Sequence, residues 1–311
     1  MNDNAKAYAC CALAMLLVGS TVVASKVIAA GLPPFTATAL RFAIALPLFL
    51  LLLRAKGQQL PSLSRTSARD RWLLLAQAAA GSVGYTVLMI SGLRLAPATD
   101  AGVIAGTLPA VAALFAVLVL GERPTLRLWL AIALACLGVM VVNLRDRGDP
   151  IAGPGQGLGS LLIFGAVVCE ALFILLNKKL QQPLHALALS TLMCGGGLLI
   201  ALPFALIELG GMPINSAQLL PALLGVVHYA LLPTVLGFLL WYTGSARIPS
   251  AHAGLLTALL PVSALLFAAW LLGEAISHQQ LLGMCCVLGA MGMMSISADA
   301  KSPVGAKSVT P

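Results

Sequence analysis

The sequence predicts an all-α membrane protein of ten transmembrane helices, arranged as two inverted five-helix repeats. Three observations predict it. Of the 311 residues, 60% are apolar and only 9% are charged. Soluble domains carry roughly 25% charged residues, so water could not solvate this surface, and a soluble enzyme, a disordered chain or a secreted disulfide scaffold is excluded. The apolar runs are continuous and rich in Leu and Ala, whereas a porin-type barrel would alternate apolar and polar positions. At roughly 20 residues per span, the length fits about ten helices. Finally, the chain repeats itself. Ser91–Glu122 lies over Thr243–Glu274 at an offset of 152 residues without a gap, with thirteen identities in 32 positions. Gly, Pro and Glu matches at one fixed offset are not expected from an Ala/Leu-rich composition alone.

The elements follow in order. The first span, 8–30, begins after Lys6 and is too long for the apolar core of a signal peptide, so it reads as an uncleaved anchor. Gly31-Leu32-Pro33-Pro34 breaks it from the second, 35–53. The third, 72–92, follows a basic loop, and the fourth, 97–120, opens at Pro97. The fifth, 126–143, ends at Arg145-Asp146-Arg147-Gly148-Asp149-Pro150, the most polar linker, which divides the chain nearly in half. The second unit repeats the plan over 157–177, 185–206, 218–242, 250–272 and 279–297, with Gly210-Gly211-Met212-Pro213 between its second and third spans. The repeat units are therefore 8–143 and 157–297, with 298–311 as a cytoplasmic tail that turns polar and Pro/Ser/Lys-bearing from Ala300 and is expected to be disordered. Five is odd, so the second unit enters the membrane from the opposite side, the plan of many alternating-access transporters.

Charge sets the orientation. With the N-terminus in the cytoplasm, inside segments hold thirteen Lys and Arg and outside segments only Arg94, Arg145 and Arg147. The positive-inside rule then places both termini in the cytoplasm. It also accounts for the net charge of +8 without nucleic acid, because the basic residues sit in loops and form no binding face. The seven cysteines all fall inside apolar runs with no C-x-x-C and histidine pattern, so they read as small packing residues rather than metal ligands. No phosphate-binding G-x-x-x-x-G-K-[ST], H-E-x-x-H or G-x-S-x-G occurs and the four histidines are scattered, which argues against a pump, an enzyme or a resident cofactor.

Several residues could carry a transport function. Pro109 and Pro261 are matched helix-interior prolines, each about twelve residues into its span. Each removes a backbone donor and frees a carbonyl near Ala105 or Thr257, and matched interruptions in both halves point to a binding site. Thr107 and Thr257 are the polar neighbours of these breaks. Gly102-x-x-x-Gly106 and Gly254-x-x-x-Ala258 let the fourth and ninth helices approach closely. Gly121 and Gly273 stand at helix C-termini. The acids after them, Glu122 and Glu274, read either as bonds to a neighbouring helix end or as gating residues. Ionisable groups within spans are costly and carry functional hypotheses. Glu170 lies roughly 20 Å along its helix, past the midplane, where a proton or a substrate amine would offset the cost of its charge. Lys26 sits near the outer end of its helix and could snorkel. Arg41 could bind a carboxylate bidentately or bond helix-end carbonyls. His228 and Tyr229 lie at mid-depth, and Tyr229 is the repeat partner of Gln77. That symmetry is what a shared cavity would show. Tyr85, Trp241, Tyr242 and Trp270 could line a path or form an aromatic belt.

The doubled segments resemble a known family. Half one reads Leu-Arg-Leu-Ala-Pro-Ala-Thr-Asp-Ala-Gly, then Leu-Pro-Ala-Val-Ala-Ala-Leu-Phe-Ala, then Leu-Gly-Glu. Half two reads Ala-Arg-Ile-Pro-Ser-Ala-His-Ala-Gly, then Leu-Pro-Val-Ser-Ala-Leu-Leu-Phe-Ala, then Leu-Gly-Glu. Both resemble the EamA domain of the drug/metabolite transporter superfamily, as do Val18-Gly19-Ser20-Thr21 with Lys26, and Leu40-Arg41-Phe42. The chain departs from the pattern at Val18, where the family commonly has Trp in the first helix, at Cys169 in the second half, and at Glu170, where a small residue is usual. The resemblance implies a bacterial inner-membrane secondary transporter that exports amino acids or related metabolites, including amino-acid-derived metallophores, by alternating access. The mixed charges Glu170, Arg41 and Lys26 suit a zwitterion. The alternative is an importer of a sugar, nucleoside or other small polar metabolite. The expected partners are a small-molecule substrate and the lipid bilayer, with no metal and no cofactor.

Overall fold

A computed structural model describes the chain except residues 1–2, 62–65, 121–124, 144–154, 182–183, 212–215, 249–251, 253–255 and 300–311. Gly121, Glu122, Gly254, the 145–150 linker and the tail from Ala300 lie outside the described residues. The described residues are helical, without strands. We label the helices α1 Asp3–Gly31, α2 Pro34–Ala55, α3 Ala68–Leu93, α4 in two pieces Ala98–Ala105 and Leu108–Leu120, and α5 Leu126–Asn143. The second half supplies α6 Gln156–Lys178, α7 Ala186–Gly211, α8 Ser216–Ser245, α9 Leu259–Leu272 and α10 His278–Asp299. Seven of these, α1 to α4 and α6 to α8, are long and apolar enough to cross a membrane; α5 and α9 are shorter apolar helices.

Packing follows the repeat. Helix α2 packs on its counterpart α7, α5 on α10 and α4 on α9, while α1 lies against α8 and α9 as α6 lies against α3 and α4. Two glycines show how closely the halves match. A Cβ on Gly92 would stand 2.7 Å from Ile163 and 2.8 Å from the Gly159 carbonyl, and one on Gly244 would stand 2.5 Å from Cys11 and 2.6 Å from the Ala7 carbonyl. Each residue of the second contact differs from its partner in the first by the same 152 positions. Only glycine allows either helix pair to approach this far. The expected α4–α9 approach is also present, because a Cβ on Gly102 would stand 3.1 Å from the Leu265 nitrogen.

The helix interruptions are matched as well. At α4 the chain breaks at Gly106-Thr107, just before Pro109, and at α9 it turns at Thr257-Ala258 before Pro261. Both breaks are bridged by tighter i→i−3 bonds, Thr107 N to Ile104 O at 3.0 Å and Leu260 N to Thr257 O at 3.1 Å. Helix α3 carries a π-helical stretch at Ala78–Gly84, and α8 one at Ala230–Gly237. Their starting residues differ by the repeat offset. In α8 the cause is legible. Pro233 cannot donate to the Tyr229 carbonyl, and Thr234 takes that carbonyl instead through its hydroxyl, at 2.8 Å.

At one end of the bundle, side chains close the helix termini. Lys26 Nζ donates to Leu93 O and Ala96 O, both at 2.7 Å, covering the carbonyls that α3 leaves unpaired at its C-terminus. Arg94 Nη2 donates to Leu32 O at 2.8 Å, which ties the α1–α2 and α3–α4 turns together. At the N-terminus of α4, Glu274 accepts from Ala98 N at 2.9 Å, Thr99 N at 2.8 Å and Thr99 Oγ1 at 3.0 Å. Glu208, near the end of α7, does the same for α2. It accepts from Phe35 N at 3.2 Å, Thr36 N at 2.8 Å and Thr36 Oγ1 at 3.0 Å. In both helices a proline supplies no donor, so the next two N–H groups face a carboxylate from the other half. Asp100 is fully buried beside this site, bonded to Gln156 at 2.8 Å and to Gln280 at 2.5 Å. Thus α1 and α3 finish at the end where α6 begins.

These two carboxylate caps give a stability prediction. Glu274→Gln and Glu208→Gln each keep one acceptor and lose the charge. Each is expected to cost about 1–2 kcal/mol, or roughly 2–6 °C in the melting temperature of detergent-purified protein. An unchanged melting temperature in both variants would make the caps incidental contacts.

Candidate functional site

The polar residues of the bundle's middle converge on Arg41. Helix α2 brings it inward because, on the same helix, Ala37 is buried against α1 and α8 and Ala45 and Phe49 are buried against α7. Its guanidinium donates from Nε to Thr234 Oγ1 at 3.2 Å and from Nη1 to Thr86 Oγ1 at 2.7 Å. The guanidinium carbon lies 4.1 Å from the centre of the Tyr229 ring and 4.8 Å from that of Phe42, close enough for cation–π attraction. Among the described residues no carboxylate bonds it. The two threonines belong to the two π-helical helices, Thr86 just beyond the stretch in α3 and Thr234 within that of α8.

Glu170 faces this group from α6. It is partly buried and makes no hydrogen bond to a described residue. Tyr85 of α3 completes the wall. It is partly buried and packs against the core that α3 shares with α6. His228, next to Tyr229 in sequence, has its Nε2 2.9 Å from Ser20 Oγ of α1. Ser20 commits its own proton to Leu17 O at 2.6 Å, so it accepts here and His228 carries the proton on Nε2.

In a low-dielectric interior, a charge held only by hydroxyls and ring faces is incompletely compensated. The same holds for a carboxylate that bonds nothing. A molecule that carries both charges would compensate a cation and an acid of this kind.

The repeat gives this arrangement further meaning. At the 152-residue offset the counterpart of Arg41 is Met193 and that of Glu170 is Val18. The scaffold is duplicated but the charges are not, so the fold alone does not require them.

Not every candidate from the sequence joins the cluster. Arg41 and Tyr229 do; His228 bonds Ser20 of α1, and Glu170 on α6 bonds no described residue. Lys26 and Glu274 instead close helix ends. Thr107 bonds Ile104 O within its own helix at 2.7 Å, and Thr257, Pro109 and Pro261 sit at the two breaks. Gln77 is fully buried with neither amide atom bonded. It stands nine residues before Thr86 on α3, roughly 13 Å along the helix, so it does not share the Arg41 site with its counterpart Tyr229. Glu122 lies outside the described residues. Thr86, Thr234 and Glu208 were not singled out from the sequence. The signal available for Thr234 was the Pro233-Thr234 pair, a freed carbonyl followed at once by a hydroxyl.

The described residues contain no group of His, Cys, Asp and Glu placed to hold a metal ion, and the seven cysteines are free thiols.

Comparison with known proteins agrees with this architecture. A model of the EamA-like transporter family matches the chain twice, over residues 5–144 and 157–296. The uncharacterized transporter YetK of Bacillus subtilis is 34% identical over 285 residues, covering 92% of this chain and 85% of that protein. A probable amino-acid metabolite efflux pump of Salmonella typhimurium is 29% identical over 180 residues, 56% of this chain and 59% of that protein. The aromatic amino acid exporter YddG of Ancylobacter novellus is 28% identical over 250 residues, 79% of this chain and 82% of that protein.

Proposed function

The chain belongs to the EamA-like transporter family, and from that premise we propose that it is a secondary transporter that exports a small zwitterion, an amino acid or an amino-acid-derived metabolite. The observation that carries this reading is a pair of charges that the repeat does not duplicate: Arg41, held by two threonine hydroxyls, and Glu170, which bonds no described residue, with Met193 and Val18 at the equivalent places. In this reading a substrate carboxylate docks on Arg41 and its ammonium on Glu170. The side chain of the substrate lies against Tyr85 and Tyr229. Neutralising both charges in one step is what allows the loaded site to sit in a low-dielectric interior. Two relatives with exporter or efflux names point to the same substrate class and direction.

The transporter spans the bacterial inner membrane ten times, as two five-helix units inserted in opposite senses. Alternating access is then a rocking of one unit against the other around the fixed site. The end held by Lys26, Glu208 and Glu274 faces outward, and both termini are cytoplasmic. Fusions test the orientation. A C-terminal fluorescent protein should be bright and a C-terminal alkaline phosphatase inactive; the reverse would overturn the orientation.

The test of function is efflux from proteoliposomes loaded with labelled solutes. Amino acids are expected to leave faster than from protein-free vesicles, and sugars and nucleosides are not. Flux of a sugar or nucleoside with none of any amino acid would favour the alternative, an importer of such a metabolite.

A further inference from the structure

We propose that Thr86 and Thr234 are positioning residues that orient Arg41 for a substrate carboxylate; this rests on the amino-acid reading above. Each hydroxyl has only one proton and has already committed it. Thr86 Oγ1 donates to Ser82 O at 2.9 Å, and Thr234 Oγ1 donates to Tyr229 O at 2.8 Å. Their lone pairs are therefore what the guanidinium meets, and neither can turn into a donor without giving up a backbone carbonyl in the membrane interior.

The consequence for Arg41 is geometric. Its single Nε proton is taken by Thr234, which closes the edge formed by Nε and Nη2 to a two-point contact. One Nη1 proton is taken by Thr86. The donors left for a carboxylate are the two Nη2 protons and the second Nη1 proton. A hydroxyl clamp achieves this without cancelling the charge, which a carboxylate partner would do. Both carbonyls behind the clamp belong to the π-helical regions of α3 and α8, and Thr234 is the repeat counterpart of Ser82. The two halves of the molecule thus hold one guanidinium between them, and Met193 at the equivalent place of Arg41 has no such role.

Valine has the shape of threonine without the hydroxyl, and serine keeps the hydroxyl. The experiment measures the initial rate of efflux of labelled phenylalanine or leucine against internal concentration, in proteoliposomes with equal amounts of protein. Thr86→Val and Thr234→Val are each expected to raise KM about tenfold, the scale of one hydrogen bond to a charged group, with the maximal rate within about twofold. Thr86→Ser and Thr234→Ser should keep the wild-type KM. In an Arg41→Lys background, Thr234→Val should add little further, because the threonine acts through the arginine. Where a valine variant does not accumulate in the membrane, the alanine variant is read in the same way. Valine variants with an unchanged KM, or serine variants as impaired as the valine ones, would overturn the clamp while leaving amino-acid export standing. Wild-type protein that moves only solutes lacking a carboxylate would overturn the clamp and the substrate reading together.

Discussion

Arg41→Gln lowers amino-acid efflux by at least about a hundredfold in kcat/KM, at an unchanged protein level in the membrane. The size follows from what is lost. Removing one member of a buried, hydrogen-bonded charge contact costs about 2–5 kcal/mol, and about 2.7 kcal/mol is a hundredfold. Arg41→Lys keeps the charge but loses the planar fork. It cannot donate to Thr86 and Thr234 and still present a free edge, so it should fall between the wild type and Arg41→Gln. The fold should survive both changes, because the equivalent position of the other half is Met193. Kinetics on reconstituted protein check this, and a wild-type kcat/KM in Arg41→Gln would remove Arg41 from the site.

Glu170→Gln is the second large effect. Glutamine keeps the shape and removes the ionisation. Net export from loaded vesicles should be abolished or fall by more than about tenfold, the scale of one charge-assisted bond. If Glu170 also carries the coupling proton, the pH dependence of the remaining flux should flatten. The equivalent residue of the first half is Val18, so packing should tolerate the change and protein level should hold. Normal flux with an unchanged pH profile would leave Glu170 a structural acid and move the site to His228 and Tyr229.

Much of the scaffold was legible in the sequence because it rests on local rules. Continuous apolar runs set the helices, and Gly-Pro punctuation set their ends within a few residues. The 152-residue repeat, read from Ser91–Glu122 over Thr243–Glu274, is also the spacing of the two equivalent helix contacts at Gly92 and Gly244. Pro109 and Pro261 marked real breaks. The site was legible only in part. Arg41, Glu170, His228 and Tyr229 stood out because charge and polarity are costly in an apolar span; of these, Tyr229 lies against Arg41, whereas His228 bonds Ser20. Gln77 was grouped with Tyr229 by symmetry, yet symmetry relates positions in the two halves and does not bring them into contact. Lys26 and Glu274 looked equally costly but serve helix ends, a role that depends on which terminus lies opposite. Thr86 and Thr234 were invisible for a different reason. A threonine in a helix usually bonds its own backbone, as both do here. That their other lone pairs meet one arginine from a third helix is a tertiary fact.

The central claim is that Arg41 and Glu170 hold the two ends of one zwitterion. Competition against labelled phenylalanine efflux tests it most directly, with three unlabelled competitors: phenylalanine, its carboxamide and its N-acetyl derivative. The account predicts that only the free amino acid competes well, and that each blocked form is weaker by tenfold or more. Equal competition by all three would contradict it.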